Sequence, residues 1–272
     1  MKTIDVKELK HIQLDVVKAL HDFCVENKIK YSLACGSLLG AIRHNGYIPW
    51  DDDIDVYLER EDYNRLITLF PKSYKGIYEF VCLEKTKWWR MSYGKLYDNR
   101  TIMYENSHGW IPIGVNIDVY PVDAVPDNPK AWNRYNKFRK LLQNIYSLKV
   151  LNISNERSVS KNIVVILGRI CLFLVSSRFI AQIINKYAQY FNNKKNAHCL
   201  FENVQGLFQK KAFDKEDFSE TILHKFEDKE LFVMKGYDHC LKCGFGNYMK
   251  LPPIEKRVSH HSFTAYWKDN NK

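Results

Sequence analysis

Leu9, Ile12, Val16, Leu20 and Phe23 recur at intervals of three and four residues, so the chain opens with an amphipathic helix ending near Asn27. A short apolar strand follows at residues 31–34, closed by Gly36-Ser37. Residues 38–42 predict one or two helical turns before the turn signal His44-Asn45-Gly46. The period then changes to two. Ile54, Val56 and Leu58 alternate with Asp53, Asp55 and Tyr57, which predicts a strand with a polar beginning. Residues 60–70 read as a helix stopped by Pro71. Strands are predicted at 78–83, 92–97, 101–104 and 115–120, the last ended by Pro121.

Beyond Pro129 the pattern is helical. Trp132, Tyr135, Phe138, Leu142, Ile145 and Leu148 form one long stripe, and residues 152–160 are polar and loop-like. Two apolar runs, 163–167 and 170–175, are split by Gly168-Arg169, and residues 178–191 resume as helix. Residues 200–272 return to short mixed elements. A membrane span needs about 20 mostly apolar residues, and Arg169 and Arg178 interrupt the stretch around 163–184. A buried helical core is therefore expected there, ahead of a helix lying on a membrane face, with a true span last.

With 272 residues, 46% hydrophobic and 26% charged, the chain can bury a sizeable core without disulfides. Seven cysteines at irregular spacings, and an N-terminus that runs straight into a polar helix, predict free thiols and a reducing, cytoplasmic compartment. The formal charge of +10 points to an anionic partner: a nucleic acid, a phospholipid surface or a phosphorylated substrate. Basic residues are spread along the chain rather than blocked, which argues against a nucleic-acid arm.

The densest chemical signal is Asp51-Asp52-Asp53-Ile54-Asp55. Adjacent carboxylates repel, and on a strand Asp53 and Asp55 face the same way, as two ligands for a hard cation would. A solvated acidic turn is the plainer account of the motif alone. Gly36-Ser37, between strand and helical turn, offers backbone N–H groups and a hydroxyl to a phosphate. Asp118, flanked by β-formers, supplies a third carboxylate. Asp123 is the fallback but lies beyond Pro121, off the expected strand. Such a set suits phosphoryl transfer, where carboxylates hold metals and one can take the proton of the attacking hydroxyl. Arg43 and His44 are read as donor-phosphate contacts or as charge partners of the carboxylates. Lys95 is a weaker phosphate candidate, and Lys256, Arg257, His260 and His261 add cationic character near the end. Cys240 and Cys243 resemble half a zinc site but read better as plain thiols. Trp88-Trp89 is a pair of core or rim residues, or a stacking surface for a base or a choline cation.

The order strand, Gly-Ser, short helix, acidic strand resembles the nucleotidyltransferase superfamily fingerprint. More specifically, the run CGSLLGAIRHNGYIPWDDDID from Cys35 to Asp55 resembles the LicD signature, a family of bacterial phosphocholine transferases to which fukutin is similar. The likeness continues at Asn116-Ile117-Asp118-Val119-Tyr120-Pro121-Val122-Asp123 and at residues 245–257. Asn247 stands there where the family pattern leads one to expect Asp. The resemblance implies an α/β, nucleotidyltransferase-like mixed sheet flanked by helices, with residues 1–128 as catalytic core. Residues 129–200 become a helical insert facing acceptor or membrane, and residues 201–272 complete the unit. It also implies Mg²⁺ or Mn²⁺ on Asp53, Asp55 and Asp118, with Asp51 as an additional acidic position. A CDP-linked donor such as CDP-choline and a glycan acceptor such as lipopolysaccharide or teichoic acid are implied too; if that acceptor is lipid-linked, the basic, apolar region at 163–187 is expected to make peripheral contact with the inner membrane. Two rivals remain: nucleotidyl transfer from a nucleoside triphosphate, and a non-catalytic glycan-binding scaffold of the same fold.

Overall fold

The computed structural model describes residues 1–105, 113–153, 158–205, 211–258 and 263–269. In chain order the elements are β1 (Thr3–Ile4), α1 (Val6–Glu26), β2 (Ser32–Leu33), α2 (Cys35–His44), β3 (Asp55–Glu59), α3 (Arg60–Leu69), β4 (Tyr78–Val81), β5 (Gly94–Asp98), β6 (Thr101–Glu105) and β7 (Asn116–Val125). Three helices follow: α4 (Pro129–Val150), α5 (Val159–Cys171) and α6 (Ser177–Ala188). Then come β8 (Cys199–Phe201), β9 (Phe213–Asp214), β10 (Thr221–Phe226), β11 (Lys229–Met234), α7 (Tyr237–Phe245) and β12 (Phe263–Trp267). The molecule is mixed α/β, as the alternating periodicities predict.

The central sheet runs β2-β3-β7-β5-β4, with β8 pairing the far half of β7 and β9 pairing β8. Only β3 and β7 are parallel; the other pairs are antiparallel. A small sheet, β1-β12-β6, ties the two ends of the described chain together, and the hairpin β10-β11 stands apart from both. Helix α1 starts where predicted, with Asp5 as its N-cap accepting from the Glu8 N–H at 2.8 Å. It buries Leu9, Ile12, Val16, Leu20 and Phe23 and ends at Asn27. Met234 N–H donates to Ser32 Oγ at 2.8 Å, so the hairpin is fastened to the edge strand of the central sheet.

Two expectations fail at proline and glycine. Pro121 does not end its strand: β7 continues to Val125. In a parallel ladder alternate N–H groups point to one neighbour. Asp118 N–H donates to the carbonyl of Ile54, just before β3, so position 121 faces the β5 side, where pairing already ends at Gly94↔Val119. No ladder bond is lost there, and proline is tolerated. Gly36-Ser37 does not close a strand either; both lie in the first turn of α2. Cys35 makes the corner between β2 and α2 with a left-handed φ of 48°.

The helices after Pro129 pack partly on themselves and partly on the sheet. Leu142, Ile180 and Ile184 form a small cluster, and Arg178 donates to the Leu83, Thr86 and Trp89 carbonyls at 2.6–2.7 Å. The expected buried core around 163–184 is only half present. Ile180, Ala181 and Ile184 are buried, but α5 buries Val165 alone and is otherwise apolar and open. The reason is position: among the described residues α5 packs chiefly on α4. Among the described residues no helix is long and apolar enough to cross a membrane.

Candidate functional site

Strand register builds the site. Asp55 is paired with Asp118 across the parallel β3–β7 ladder, and Asp118 with Lys95 across the antiparallel β7–β5 ladder. Paired residues project to the same face, so Asp55, Asp118 and Lys95 form one row across three strands. Two residues further along, Tyr57 and Tyr120 form the next row, and Tyr93 packs its ring 4.5 Å from that of Tyr120. Asp118 is held from both sides: Lys95 Nζ lies 2.9 Å from Oδ1, and Tyr120 donates its hydroxyl to Oδ2 at 2.8 Å. Lys95 also reaches Asn116 Oδ1 at 3.0 Å.

The N-terminal end of α2 closes over this row. Ser37 Oγ accepts the Asp55 backbone N–H at 2.9 Å, and Ala34 N–H donates to the Asp55 carbonyl at 2.9 Å. A Cβ on Gly36 would lie 2.5 Å from Asp51 Oδ2, so only glycine leaves room for that carboxylate against the helix end. Gly40 is more tightly constrained, because a Cβ there would meet backbone, the Gly46 carbonyl oxygen at 2.4 Å. The glycines of the motif thus serve close approach, and Ser37 positions Asp55 through its backbone.

The electrostatics are those of an incompletely neutralised anionic cluster. Burial pushes the Asp55 carboxyl well above the ordinary carboxylate range. The negative charges of Asp53, Asp118 and Asp51 push the same way, and Lys95 opposes them. The Tyr120 phenol is raised by burial and by Asp118. An all-oxygen, net-negative donor set is what a hard divalent cation takes, and one lysine offsets only one of the charges. The residues therefore fit Mg²⁺ or Mn²⁺. No three of the sheet carboxylates approach one another as closely as Asp214, Asp217 and His239, whose ligand atoms lie within 4.8 Å of one another elsewhere on the surface. Asp217 there already serves the turn at residues 215–218 and accepts from His239 Nδ1 at 2.6 Å.

Several expected roles change. Lys95 is buried and engaged with carboxylate and amide oxygens, which makes it a built-in counter-ion of the row. Arg43 spends Nη1 on the Tyr248 carbonyl at 2.7 Å and Nε on His44 at 2.9 Å, so its hydrogen bonds orient the α2 end. Burial and the nearby Arg257 lower its pKa, and burial and Arg43 lower that of His44. Arg257 sits over the Trp50 ring at 5.6 Å, next to the acidic run. Asp123 is on the strand after all. Five residues from Asp118, it faces the other side of the sheet, where Arg60 grips it twice at 2.6 and 2.8 Å and Asn192 donates at 2.7 Å. Trp89 is fully buried and donates to the Tyr93 carbonyl, so it is core; Trp88 is half exposed. Cys240 is buried in α7, and Cys243 lies 3.5 Å from His239. His260 and His261 lie outside the described residues. Asn247 sits in the turn after α7, where its carbonyl accepts from Lys250 N–H.

Tyr120, Tyr57, Cys35 and Glu202 were not singled out from the sequence. Tyr57 hydroxyl and Cys35 Sγ are 3.2 Å apart, and the carboxylates of Asp55 and Glu202 both raise the buried Cys35 thiol. The signal for the tyrosines was available: each stands two residues after an aspartate on its strand.

The family described as LicD/FKTN/FKRP, nucleotidyltransferase domain, matches residues 28–146. The lipopolysaccharide cholinephosphotransferase LicD of Haemophilus influenzae is 33% identical over 278 residues, covering 98% of this chain and 99% of that one. The chain belongs to the LicD family. An uncharacterized Rickettsia typhi protein is 29% identical over 59% of the chain and 58% of its own length. The family match spans every residue of the acid row and stops inside α4, before α5 and α6.

Proposed function

We propose that this LicD-family protein transfers a phospho-alcohol, phosphocholine first among the candidates, from a CDP-activated donor to a hydroxyl of a cell-surface glycan or its lipid-linked precursor. The observation that carries the reading is likeness over the whole chain to a lipopolysaccharide cholinephosphotransferase, together with an intact row of Asp55, Asp118 and Lys95.

In the proposed reaction the acceptor hydroxyl oxygen forms a bond to the phosphorus that carries the alcohol. The bond from that phosphorus to the CMP oxygen breaks, and CMP leaves with the electron pair. The acceptor proton passes to a carboxylate of the row. Asp118 is suited to take it, because Lys95 and Tyr120 hold its two oxygens in a fixed orientation. Asp51, Asp53, Asp55 and Asp118 would hold the divalent ion, which supplies charge neutralisation on the phosphate oxygens when bound. Arg43, Arg257 and Trp50 give the rim beside the acidic run a cationic and aromatic character suited to a nucleotide diphosphate.

The test is product analysis. Purified protein with Mg²⁺ and a panel of CDP-linked alcohols is expected to release CMP from one of them. Pyrophosphate from a nucleoside triphosphate, with no CMP from any donor, would assign nucleotidyl transfer instead. Calorimetry without any divalent-ion binding would leave a scaffold.

A further inference from the structure

Charge is distributed along this chain in a way the total hides. Residues 128–200 hold thirteen Lys and Arg and one acidic residue, Glu156; the remainder holds 28 Lys and Arg against 30 Asp and Glu. The basic residues are evenly spread, and it is the acids that are missing from one segment. The whole positive excess of the protein therefore belongs to the helical region, and the rest of the chain is close to neutral.

The same region carries the largest apolar exposure. Helix α5 packs on α4 at Gly168, where a Cβ would lie 2.9 Å from Leu148 Cδ1, and Val165 is its one buried side chain. Its remaining apolar side chains face outward: Val164 is 57% exposed, Ile170 65%, and in the turn that follows Phe173 is 79% and Leu174 92% exposed. The cations that interrupt this run in sequence do not break the patch. Arg169 donates to the Leu151 carbonyl, Lys149 to that of Leu172 at 2.9 Å, and Arg178 to three carbonyls of residues 83–89. Their heads are turned onto the protein, which leaves the outward surface from residue 163 to residue 174 mainly to hydrocarbon, with Lys161 exposed at the start of the helix. Lys137 and Lys140 on α4 remain exposed.

We propose that α5 and the Phe173-Leu174 turn dock this protein on an anionic membrane surface, lying in the plane of the headgroups. A 13-residue helix is about 20 Å long, too short to cross a hydrocarbon layer of about 30 Å but long enough to lie in its boundary. Anionic headgroups match the missing acids. A second copy of this chain does not, because it would bring one strongly positive segment against another. The docking needs no catalytic step and stands whether or not the proposed transfer is correct; if the acceptor is lipid-linked, it brings enzyme and acceptor onto one surface.

Flotation of the full chain decides the matter. Vesicles of phosphatidylcholine with about one-third phosphatidylglycerol are expected to carry the protein at low salt, and phosphatidylcholine alone to carry roughly tenfold less. The double variant Phe173→Ser/Leu174→Ser is expected to float roughly tenfold less while melting at the wild-type temperature. Lys137→Glu/Lys140→Glu is expected to lose binding to anionic vesicles by a similar factor. No flotation with the anionic vesicles, or undiminished flotation of the Phe173/Leu174 variant, overturns the proposal. So does a concentration-dependent dimer in sedimentation that the same variant abolishes while vesicles carry neither protein; that result would assign the face to a second copy.

Discussion

Around Asp55 negative charge is gathered and buried; along α4–α6 positive charge and hydrocarbon are spread and exposed. Each arrangement is costly by itself. A buried carboxylate among three others loses hydration and gains repulsion, and an exposed apolar helix orders water without contributing to the core. The two regions hold opposite kinds of unsatisfied surface, one complementary to cations and phosphates, the other to an anionic apolar boundary. They are also joined: Arg60 at the start of α3 grips Asp123 of β7 and Asn185 of α6. The charge of +10 thus says little about the reaction site, which is the most acidic part of the molecule.

Mutations separate the regions by the kind of damage they do. The largest effect is expected at the acidic cluster around Asp55. Asp53→Asn and Asp55→Asn should each reduce CMP release by about 10³-fold or more, with the circular dichroism spectrum unchanged. Substantial turnover at ordinary Mg²⁺ in either variant would remove these residues from the site. Next comes the joint between regions. Asp123→Ala leaves Arg60 buried without its partner and is expected to cost about 3–5 kcal/mol in urea unfolding. The activity of the folded fraction should be retained, because Asp123 faces away from the row.

A smaller effect is expected at Tyr120→Phe, which removes one hydrogen bond to Asp118 and should lower kcat by roughly fivefold, about 1 kcal/mol, with little change in stability. Asp55→Asn has a second consequence, of opposite sign to its first. Because the folded pKa of Asp55 is raised, its ionisation opposes folding at neutral pH. That penalty fades as pH falls through the raised value toward the ordinary carboxylate range. Without divalent ions, the variant should melt a few degrees above wild type at pH 7, and the difference should shrink in acid. A variant that melts lower at pH 7 would show that Lys95 already compensates the charge. Smallest of all, Leu174→Ser on the exposed turn should change unfolding free energy by less than about 0.5 kcal/mol, whereas Leu58→Ala in β3 should cost about 2–5 kcal/mol.

Local order was legible in the sequence wherever the signal was local. The three- and four-residue spacing of α1, the alternation through Asp55-Val56-Tyr57-Leu58 and the Asn45 turn each record what a few neighbouring residues prefer. The acidic run announced itself because clustered carboxylates are costly anywhere. Asp118 was legible as the third member, but only as one of two choices, and Pro121 argued misleadingly that the strand had ended.

What the chain alone determined, then, is its elements and its stock of chemistry. Tertiary structure decided which side of the sheet each aspartate faces, that Lys95 neutralises Asp118 and that Arg60 takes Asp123. It also decided that, among the described residues, the apolar helix α5 packs chiefly on α4 and leaves its other face exposed. The physical reason is that periodicity is a property of consecutive residues, while charge compensation and burial depend on whatever the fold brings alongside. Lys95 and Asp118 are 23 positions apart, and the exposure of α5 is written in no short stretch of sequence.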